Sequence, residues 1–234
     1  MGKVIFITGT DTGAGKTLLT ALLLTHLQRR RSVTWAMKPF CSGPRSDVDL
    51  LYKLQEGRLS KSLINPFYFK EAVAPLVAAR RHDRQIGLQE VVERIRVLES
   101  QSDILLVEGS GGLLVPLGEG YAVADIIKAL DCSVVVAARN KLGAINHVLL
   151  TVDSLKTRVA GRICVVLMGC KIRTLAAQTN RSLIEESLWP IETLRIPFLG
   201  ESSIKLLPAT LKRYEKKIKK TLARIVKAVT LTTL

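Results

Sequence analysis

The sequence predicts an α/β fold, a doubly wound, mostly parallel sheet with helices on both faces. Short β-branched runs alternate with segments of helical periodicity along the 234 residues. The runs are apolar at consecutive positions, as expected of strands that are covered on both faces. Strands separated by helices imply right-handed crossovers, which build a parallel sheet. Such sheets bind ligands at the carboxyl ends of their strands.

The elements follow one another along the chain with no break that would suggest a second domain. Strands are predicted over residues 3–8, 33–37, 104–107, 133–137 and 163–167. Helices are predicted over residues 17–28, 144–155 and 175–188, and one apolar stripe marks a further helix, at Leu88, Val91, Val92, Ile95 and Leu98. Because neither a repeat nor a Gly/Ser/Pro-rich linker is visible, we expect residues 1–234 to form a single domain.

The charge is strongly basic and unevenly distributed. The net charge is +15, and the last thirty residues contain nine Lys or Arg against one acid, Glu215. In this tail apolar residues recur at steps of three and four and predict an amphipathic helix at about 208–229, with Leu211, Tyr214, Ile218, Leu222, Ile225 and Val229 on one face.

This helix has two interpretations. It either packs on its own domain with a solvated basic face, or contacts a membrane surface or nucleic acid. The first is favoured because few aromatic side chains are present to stack on bases. We therefore expect neither nucleic acid nor a membrane as a partner.

The composition indicates a soluble, cytoplasmic protein. No run approaches the roughly 18 apolar residues of a membrane span, and the first predicted strand leaves no room for a signal peptide. The four cysteines form no CxxC pair and do not neighbour histidines at metal-ligand spacing, which indicates free thiols in a reducing compartment.

The stretch FITGTDTGAGKTLL, at residues 6–19, combines a strand, a glycine-rich turn and a helix start. Backbone N–H groups bared by Gly13 and Gly15, together with the helix N-terminus, can hold phosphate oxygens. Lys16 would reach the outer phosphates and the Thr17 hydroxyl would ligate Mg²⁺. Five residues separate Gly9 from Gly15, one more than in the usual GxxxxGK[ST] pattern. The flanking strand and helix favour nucleotide binding over a merely structural helix cap.

Two further segments indicate a reaction. MKPFCSG places Lys38 at the carboxyl end of the second predicted strand, and LLVEGSGGLLVPL places Glu108 at the end of the third. Either residue alone is more often an ordinary surface group. Together with Lys16 they surround the same phosphates with two cations and one Mg²⁺-ligating acid, which suits phosphoryl transfer.

These motifs, in this order, resemble those of the dethiobiotin synthetases, which have a P-loop NTPase-like fold. The resemblance covers residues 3 to about 200, and the matching segments are GTDTxxGKT at 9–17, KPxxSG at 38–43, an acidic segment at 47–51, NPxxF at 65–69, VEGxGG at 107–112 and KLGxINH at 141–147. It implies Mg²⁺-dependent closure of the ureido ring of dethiobiotin from 7,8-diaminononanoate, CO₂ and ATP, in biotin biosynthesis. It also implies a homodimer with its sites at the subunit interface.

The resemblance assigns roles by position. Lys16 and Lys38 would be catalytic, and Mg²⁺ would be held by Thr17, Asp47 and Glu108. The diamine would contact Thr12, Ser42 and Asn146, the last in a turn that receives the substrate carboxylate from the partner subunit. The residues implied to bind nucleotide are Thr12, Gly13, Ala14, Gly15, Lys16, Thr17, Asp47, Glu108, Gly109, Ser110 and Gly111.

Several positions depart from the family pattern. Gly13 replaces an acidic residue, Leu76 replaces a histidine, and Met168 replaces the asparagine that reads the nucleotide base. ATP is the default co-substrate, but the loss of that amide leaves other nucleoside triphosphates open. Asp49 is a second candidate for the metal-binding acid, and the alignment favours Asp47.

Two other classes share the amino-terminal motifs. A P-loop switch ATPase, which would use the basic tail on DNA or membrane, carries a signature lysine where this chain has Asp11, five positions before Lys16. An amidoligase of corrin synthesis needs a glutaminase domain for which 234 residues leave no room. Both are therefore less favoured than a dethiobiotin synthetase.

Overall fold

A computed structural model describes residues 3–30, 32–159, 161–172, 174–200 and 207–230. The central sheet consists of six parallel strands: β1 (Lys3–Gly9), β2 (Thr34–Met37), β5 (Ile104–Glu108), β8 (Ser133–Arg139), β9 (Ile163–Met168) and β10 (Glu192–Ile196). Their spatial order is β10-β9-β8-β1-β5-β2. The predicted fold class is confirmed.

Two small sheets lie beside the main one, and the sequence did not predict them. One pairs β3 (Phe40–Ser42) with β4 (Phe67–Phe69) in parallel, and the other pairs β6 (Pro116–Gly118) with β7 (Tyr121–Ala122) in antiparallel orientation. Of the two, the first borders the ligand-binding edge, where Cys41 and Ser42 of β3 line a cavity.

The helices are α1 (Lys16–Gln28), α2 (Ser46–Leu54), α3 (Lys61–Ile64), α4 (Pro75–Arg81), α5 (Leu88–Glu99), α6 (Val123–Leu130), α7 (Ala144–Lys156), α8 (Leu175–Leu188) and α9 (Leu207–Thr230). Among the described residues no helix is both long and apolar enough to cross a membrane.

The helices cover both faces of the sheet. Helices α1 and α9 pack together on one face, while α5, α6, α7 and α8 contact strands from the other. This division follows from right-handed crossovers, because the chain moves one way along the sheet from β1 to β2 and the opposite way thereafter. The connection that leaves β1 therefore lies on the opposite face from those that leave its neighbours β5 and β8, and in such sheets ligands bind at the carboxyl ends of the strands where the connections diverge.

Helix α9 closes the outer side of α1. Its apolar stripe, which includes Ile218, Leu222 and Ile225, is buried. In α1 itself, buried apolar residues lie nearly all round the helix, as expected of a helix enclosed by the sheet and a second helix. The buried carboxylate of Glu215 on α9 accepts a hydrogen bond from Arg29 and lies 3.4 Å from Nδ1 of His26. The contact is therefore both apolar and ionic.

Strand register brings the predicted site together. Ile7 of β1 is level with Glu108 of β5, and Met37 of β2 is level with Val107. Lys38, which follows β2, is thus level with Glu108. The phosphate loop follows β1, so the loop, Lys38 and Glu108 meet at one edge of the sheet.

Candidate active site

The phosphate loop joins β1 to α1 in a conformation that needs glycine. Gly13 and Gly15 have φ values of 73° and 96°, in the left-handed region that side chains disfavour. A Cβ on Gly15 would lie 2.9 Å from Cγ of Met168. The loop therefore packs directly on Met168, and its backbone N–H groups lie at the start of α1, where phosphate is favoured.

Lys16 is folded across the loop. Its Nζ donates to the backbone oxygens of Asp11 (3.0 Å) and Gly111 (2.6 Å). Burial lowers the pKa of Lys16 to about 8, against the opposing effect of the Glu108 carboxylate. Because carbonyl oxygens are weaker partners than phosphate oxygens for an ammonium group, these contacts can be exchanged for an incoming nucleotide.

Lys38, Asp47, Glu108 and Thr17 form one cluster. Nζ of Lys38 donates to Oδ2 of Asp47 (2.6 Å) and to Oε1 of Glu108 (2.7 Å). The Thr17 hydroxyl donates to the same Glu108 oxygen at 2.7 Å. Burial opposes the charge on Lys38, but the Glu108 and Asp47 carboxylates outweigh it and raise its pKa above the usual range.

The cluster fits a magnesium ion chemically. Its ligands are two carboxylates and a hydroxyl, the hard oxygen donors that Mg²⁺ prefers. Glu108 is fully buried, and its Oε2 has no hydrogen-bond partner, which is costly unless a cation or water meets it. Within the described part of the chain, no group of three or more His, Cys, Asp or Glu side chains is suited to a metal. A metal here would therefore need further ligands, such as phosphate oxygens.

The two candidate acids of α2 face different lysines. Asp47 pairs with Lys38, whereas Asp49 lies 2.6 Å from Nζ of Lys61. The geometry thus brings Asp47, and not Asp49, to the cluster around Lys38 and Glu108.

A cavity of about 470 Å³ opens beside the cluster. Its lining includes the polar side chains of Thr12, Lys38, Ser42 and Asp47. Oγ of Ser42 is buried without a hydrogen-bond partner, so a polar ligand group could satisfy it. Ser110 also lines the cavity and donates to the backbone oxygen of Phe40 at 2.6 Å. Sequence reasoning missed the apolar part of the lining, which includes Ala72, Val73, Ala74, Pro75 and Val115.

Asn65 fixes the backbone on which Lys38 stands. This buried amide donates to the backbone oxygens of Lys38 (3.0 Å) and Pro39 (3.1 Å), and the Lys38 N–H donates to the backbone oxygen of Ile64. The NPxxF motif contains Asn65, but its contact with Lys38 could not be read from spacing. We therefore expect Asn65 to act on the site through Lys38.

We expect Asn65→Ala to lower kcat about 10-fold, because a misplaced catalytic group loses rate even when binding persists. The KM for nucleotide should change less than twofold, since the phosphate loop is untouched. Steady-state kinetics would measure both, with Asn180→Ala, a buried amide that bonds Asn140 and Lys141, as the control. Equal losses in the two variants would mean that Asn65 matters only for folding.

A second cavity, of about 390 Å³, lies on the other side of the loop, where β9 and β10 end. Gly169, Gln178, Arg195 and Phe198 are among its lining residues. Met168, the residue before Gly169, is buried against the phosphate loop. The loop therefore lies between two cavities, one beside the carboxylate cluster and one beside Met168.

Asn146 is not brought to the larger cavity. It is exposed on the first turn of α7 and lines a separate surface groove with Leu149, Leu150 and Asp153. Its neighbours Ala144 and His147 line a small recess with Thr10 and Thr12 of the phosphate loop. A role for Asn146 in binding substrate therefore stays a prediction that requires a second subunit.

Comparison of the sequence with known proteins identifies the family of this chain. Residues 3–201 match the family model described as an AAA domain. The chain is 41% identical over 189 residues to the ATP-dependent dethiobiotin synthetase of Bacillus licheniformis, a match that covers 78% of this chain and 80% of the relative. The chain belongs to the dethiobiotin synthetase family. A dethiobiotin synthetase of Methanococcus vannielii is 33% identical over 191 residues, covering 81% of this chain and 87% of its own length.

Solved structures agree on the fold of this dethiobiotin synthetase family member. A ParA of pNOB8 bound to nonspecific DNA aligns with a TM-score of 0.60 at 13% identity, covering 97% of this chain and 99% of that one. The cell division protein MinD of Aquifex aeolicus aligns with a TM-score of 0.54 at 14% identity over the full length of both chains. At such low identity these likenesses concern the fold alone. The sequence matches favour the synthetase over a switch ATPase.

Proposed function

We propose that this chain is an ATP-dependent dethiobiotin synthetase, which closes the ureido ring of dethiobiotin from 7,8-diaminononanoate and CO₂. The observation that carries the proposal is the convergence of Lys16, Lys38 and Glu108 beside a cavity with an unpartnered Ser42 hydroxyl, in a chain of this family. The apolar part of the cavity lining suits the alkyl chain of the diamine.

The reaction has three steps. One substrate amine adds to CO₂ and loses a proton, which gives a carbamate. A carbamate oxygen then attacks the γ-phosphorus of ATP and ADP leaves, which gives a carbamic–phosphoric anhydride. The second amine attacks the carbamate carbon, phosphate leaves with the electron pair of the C–O bond, and a proton is released as the ring closes.

Negative charge on carbamate and phosphoryl oxygens is the difficulty that the protein must overcome. Lys16 would balance the β- and γ-phosphates, and Lys38 the carbamate and the transferring phosphoryl group. Charges fixed in place before the reaction usually supply the largest catalytic effect. Thr12 and Ser42 would orient the diamine through its amines.

Thr17, Asp47 and Glu108 are the residues that would hold Mg²⁺. When bound, the ion would neutralise phosphate charge and orient the triphosphate. The unpartnered Oε2 of Glu108 supports this role.

The nucleotide base would lie in the cavity beside Met168. A thioether offers only a weak acceptor where the family has an amide, so base-edge hydrogen bonds from this position are lost. A missing base contact forfeits about 1–2 kcal/mol of preference. Backbone groups around Gly169, or residues near Glu201, are alternative means of reading the base, and residues 201–206 lie outside the described part of the chain.

We therefore expect the kcat/KM values for ATP, CTP and GTP to lie within about 10-fold of one another. Measuring the three kcat/KM values at saturating diamine and bicarbonate tests this prediction. An ATP preference of well above about a hundredfold would show that other groups read the base.

The working form would be a cytoplasmic homodimer. Exposure of Asn146 on α7, away from the cavity of its own subunit, supports a site completed by the partner. Four free cysteines, three of them buried, support a reducing compartment.

The dependence of ATP hydrolysis on the other substrates tests the proposed function. A synthetase should release phosphate only when diamine and bicarbonate are both present. A switch ATPase would hydrolyse ATP without either. Phosphate release that depends on neither diamine nor bicarbonate would therefore contradict the proposal and favour a switch ATPase.

A further inference from the structure

The carboxylate cluster is already occupied by a cation from the protein itself. The Lys38 ammonium contacts Oδ2 of Asp47 and Oε1 of Glu108, and the second of these oxygens also accepts from Thr17. Lys38 thus joins Asp47 to Glu108, and Thr17 is held to this pair through the shared Glu108 oxygen.

Lys16 behaves differently, although it is equally close to the phosphate loop. Its contacts are to the backbone oxygens of Asp11 and Gly111. Of these two lysines, only Lys38 therefore forms a direct ion pair with the fully buried Glu108. Without such a partner, two carboxylates would repel one another in a site of low dielectric constant.

We propose that Lys38 is a placeholder cation: it holds Thr17, Asp47 and Glu108 in position in the free enzyme and is displaced into the larger cavity when Mg²⁺ arrives with the nucleotide. This rests on the proposed function. A carboxylate oxygen that ligates Mg²⁺ at about 2.0–2.1 Å binds a neighbouring ammonium group less strongly, because the two cations repel each other.

The displaced side chain has space to enter. Lys38 lines the cavity of about 470 Å³ together with Ser42 and Thr12. Its backbone is fixed by Asn65 and Ile64, so rotation of the side chain alone makes the exchange. The exchange would deliver the ammonium to the carbamate only after the metal and nucleotide are in place.

The competing arrangement keeps both cations. Oε2 of Glu108 has no partner and could ligate the metal while Oε1 still accepts from Lys38. The two arrangements differ in the accessibility of the Lys38 amine when the metal is bound. ADP is the suitable nucleotide for distinguishing them, because it leaves the γ-phosphoryl position empty.

Amine labelling of the wild-type protein tests the exchange. The protein is acetylated briefly with ADP and EDTA or with ADP and Mg²⁺, and labelling is quantified by mass spectrometry. Labelling of Lys38 should rise about fivefold or more with Mg²⁺, as expected of a shifted population. Lys61, paired with Asp49 at the surface, is the internal control and should not change.

Each outcome has a defined meaning. One outcome would overturn the exchange and leave the proposed function intact: Mg²⁺ with ADP raises the melting temperature, but the labelling of Lys38 does not change. No thermal response to Mg²⁺ and ADP at all would count against the proposed function itself.

A variant gives a second measurement. Mn²⁺ binding to Lys38→Met in the presence of ADP, followed by electron paramagnetic resonance, should be about 10-fold tighter than to wild type because the competitor is gone. The control is Lys61→Met. Equal or weaker Mn²⁺ binding by Lys38→Met would contradict the inference.

Discussion

Lys38→Ala should lower turnover by about 100-fold or more, because it removes the cation that balances the carbamate and the transferring phosphoryl group. The structure adds a second effect. The substitution leaves the buried Glu108 without its ammonium partner, and breaking one side of a buried ion pair is strongly destabilising. The melting temperature should therefore fall in EDTA and recover when Mg²⁺ and nucleotide are added.

The control for this prediction is Lys61→Ala. Lys61 forms a comparable pair with Asp49, which lies on the same helix as Asp47, but both side chains of this pair are nearly half exposed. Surface pairs of this kind contribute little to stability. Turnover of Lys38→Ala within a few-fold of wild type would remove Lys38 from the catalytic machinery.

Glu108→Gln should lower turnover by a comparable factor, because it weakens the binding of Mg²⁺. Glutamine keeps the shape and the acceptor oxygen for Thr17 and Lys38, but it removes the negative charge that favours Mg²⁺. We expect the Mg²⁺ concentration for half-maximal rate to rise about 10-fold or more and turnover to fall with it. Initial rates measured against Mg²⁺ concentration at saturating ATP give both quantities.

Asp49→Asn is the matched control for Glu108→Gln, since it neutralises a carboxylate two residues from Asp47 that does not face the loop. Its Mg²⁺ dependence should equal that of wild type. An unchanged dependence in Glu108→Gln would instead mean that Glu108 supports the site structurally and does not hold the metal.

The sequence predicted five of the six strands of the main sheet but not β10. The five are near-continuous apolar runs, as is typical of strands buried on both faces. Strand β10, with the sequence ETLRI, contains Glu192 and Arg195. It is an edge strand that pairs with β9 alone, so one side of it is less enclosed and the apolar pattern is interrupted.

The partners of Asp47 and Asp49 depended on geometry that no local pattern contains. The two residues are about 200° apart around α2, and which of them meets Lys38 depends on how α2 sits against β2. Gln55 fixes that arrangement: its buried amide accepts from the N–H of Ala36 (2.8 Å) and donates to the oxygen of the same residue (3.1 Å). The motif resemblance favoured Asp47, and the geometry supplies a physical reason.

Met168 shows a similar limit. The motif comparison identified Met168 as a replacement for a base-reading amide. It did not predict that the Met168 side chain packs against Gly15. Gly15 has no Cβ, which leaves room for the Met168 side chain, but the two residues lie more than 150 positions apart in the sequence, so no local pattern predicts the contact.

Incorporation of labelled bicarbonate tests the proposed activity most directly. The protein is incubated with ATP, Mg²⁺, 7,8-diaminononanoate and labelled bicarbonate, and the product is acidified before counting. A carbamate loses its CO₂ in acid, whereas a closed ureido ring keeps it. The proposed function predicts acid-stable label in an amount equal to the phosphate released, and none when the diamine or ATP is omitted. Phosphate release without acid-stable label would contradict it.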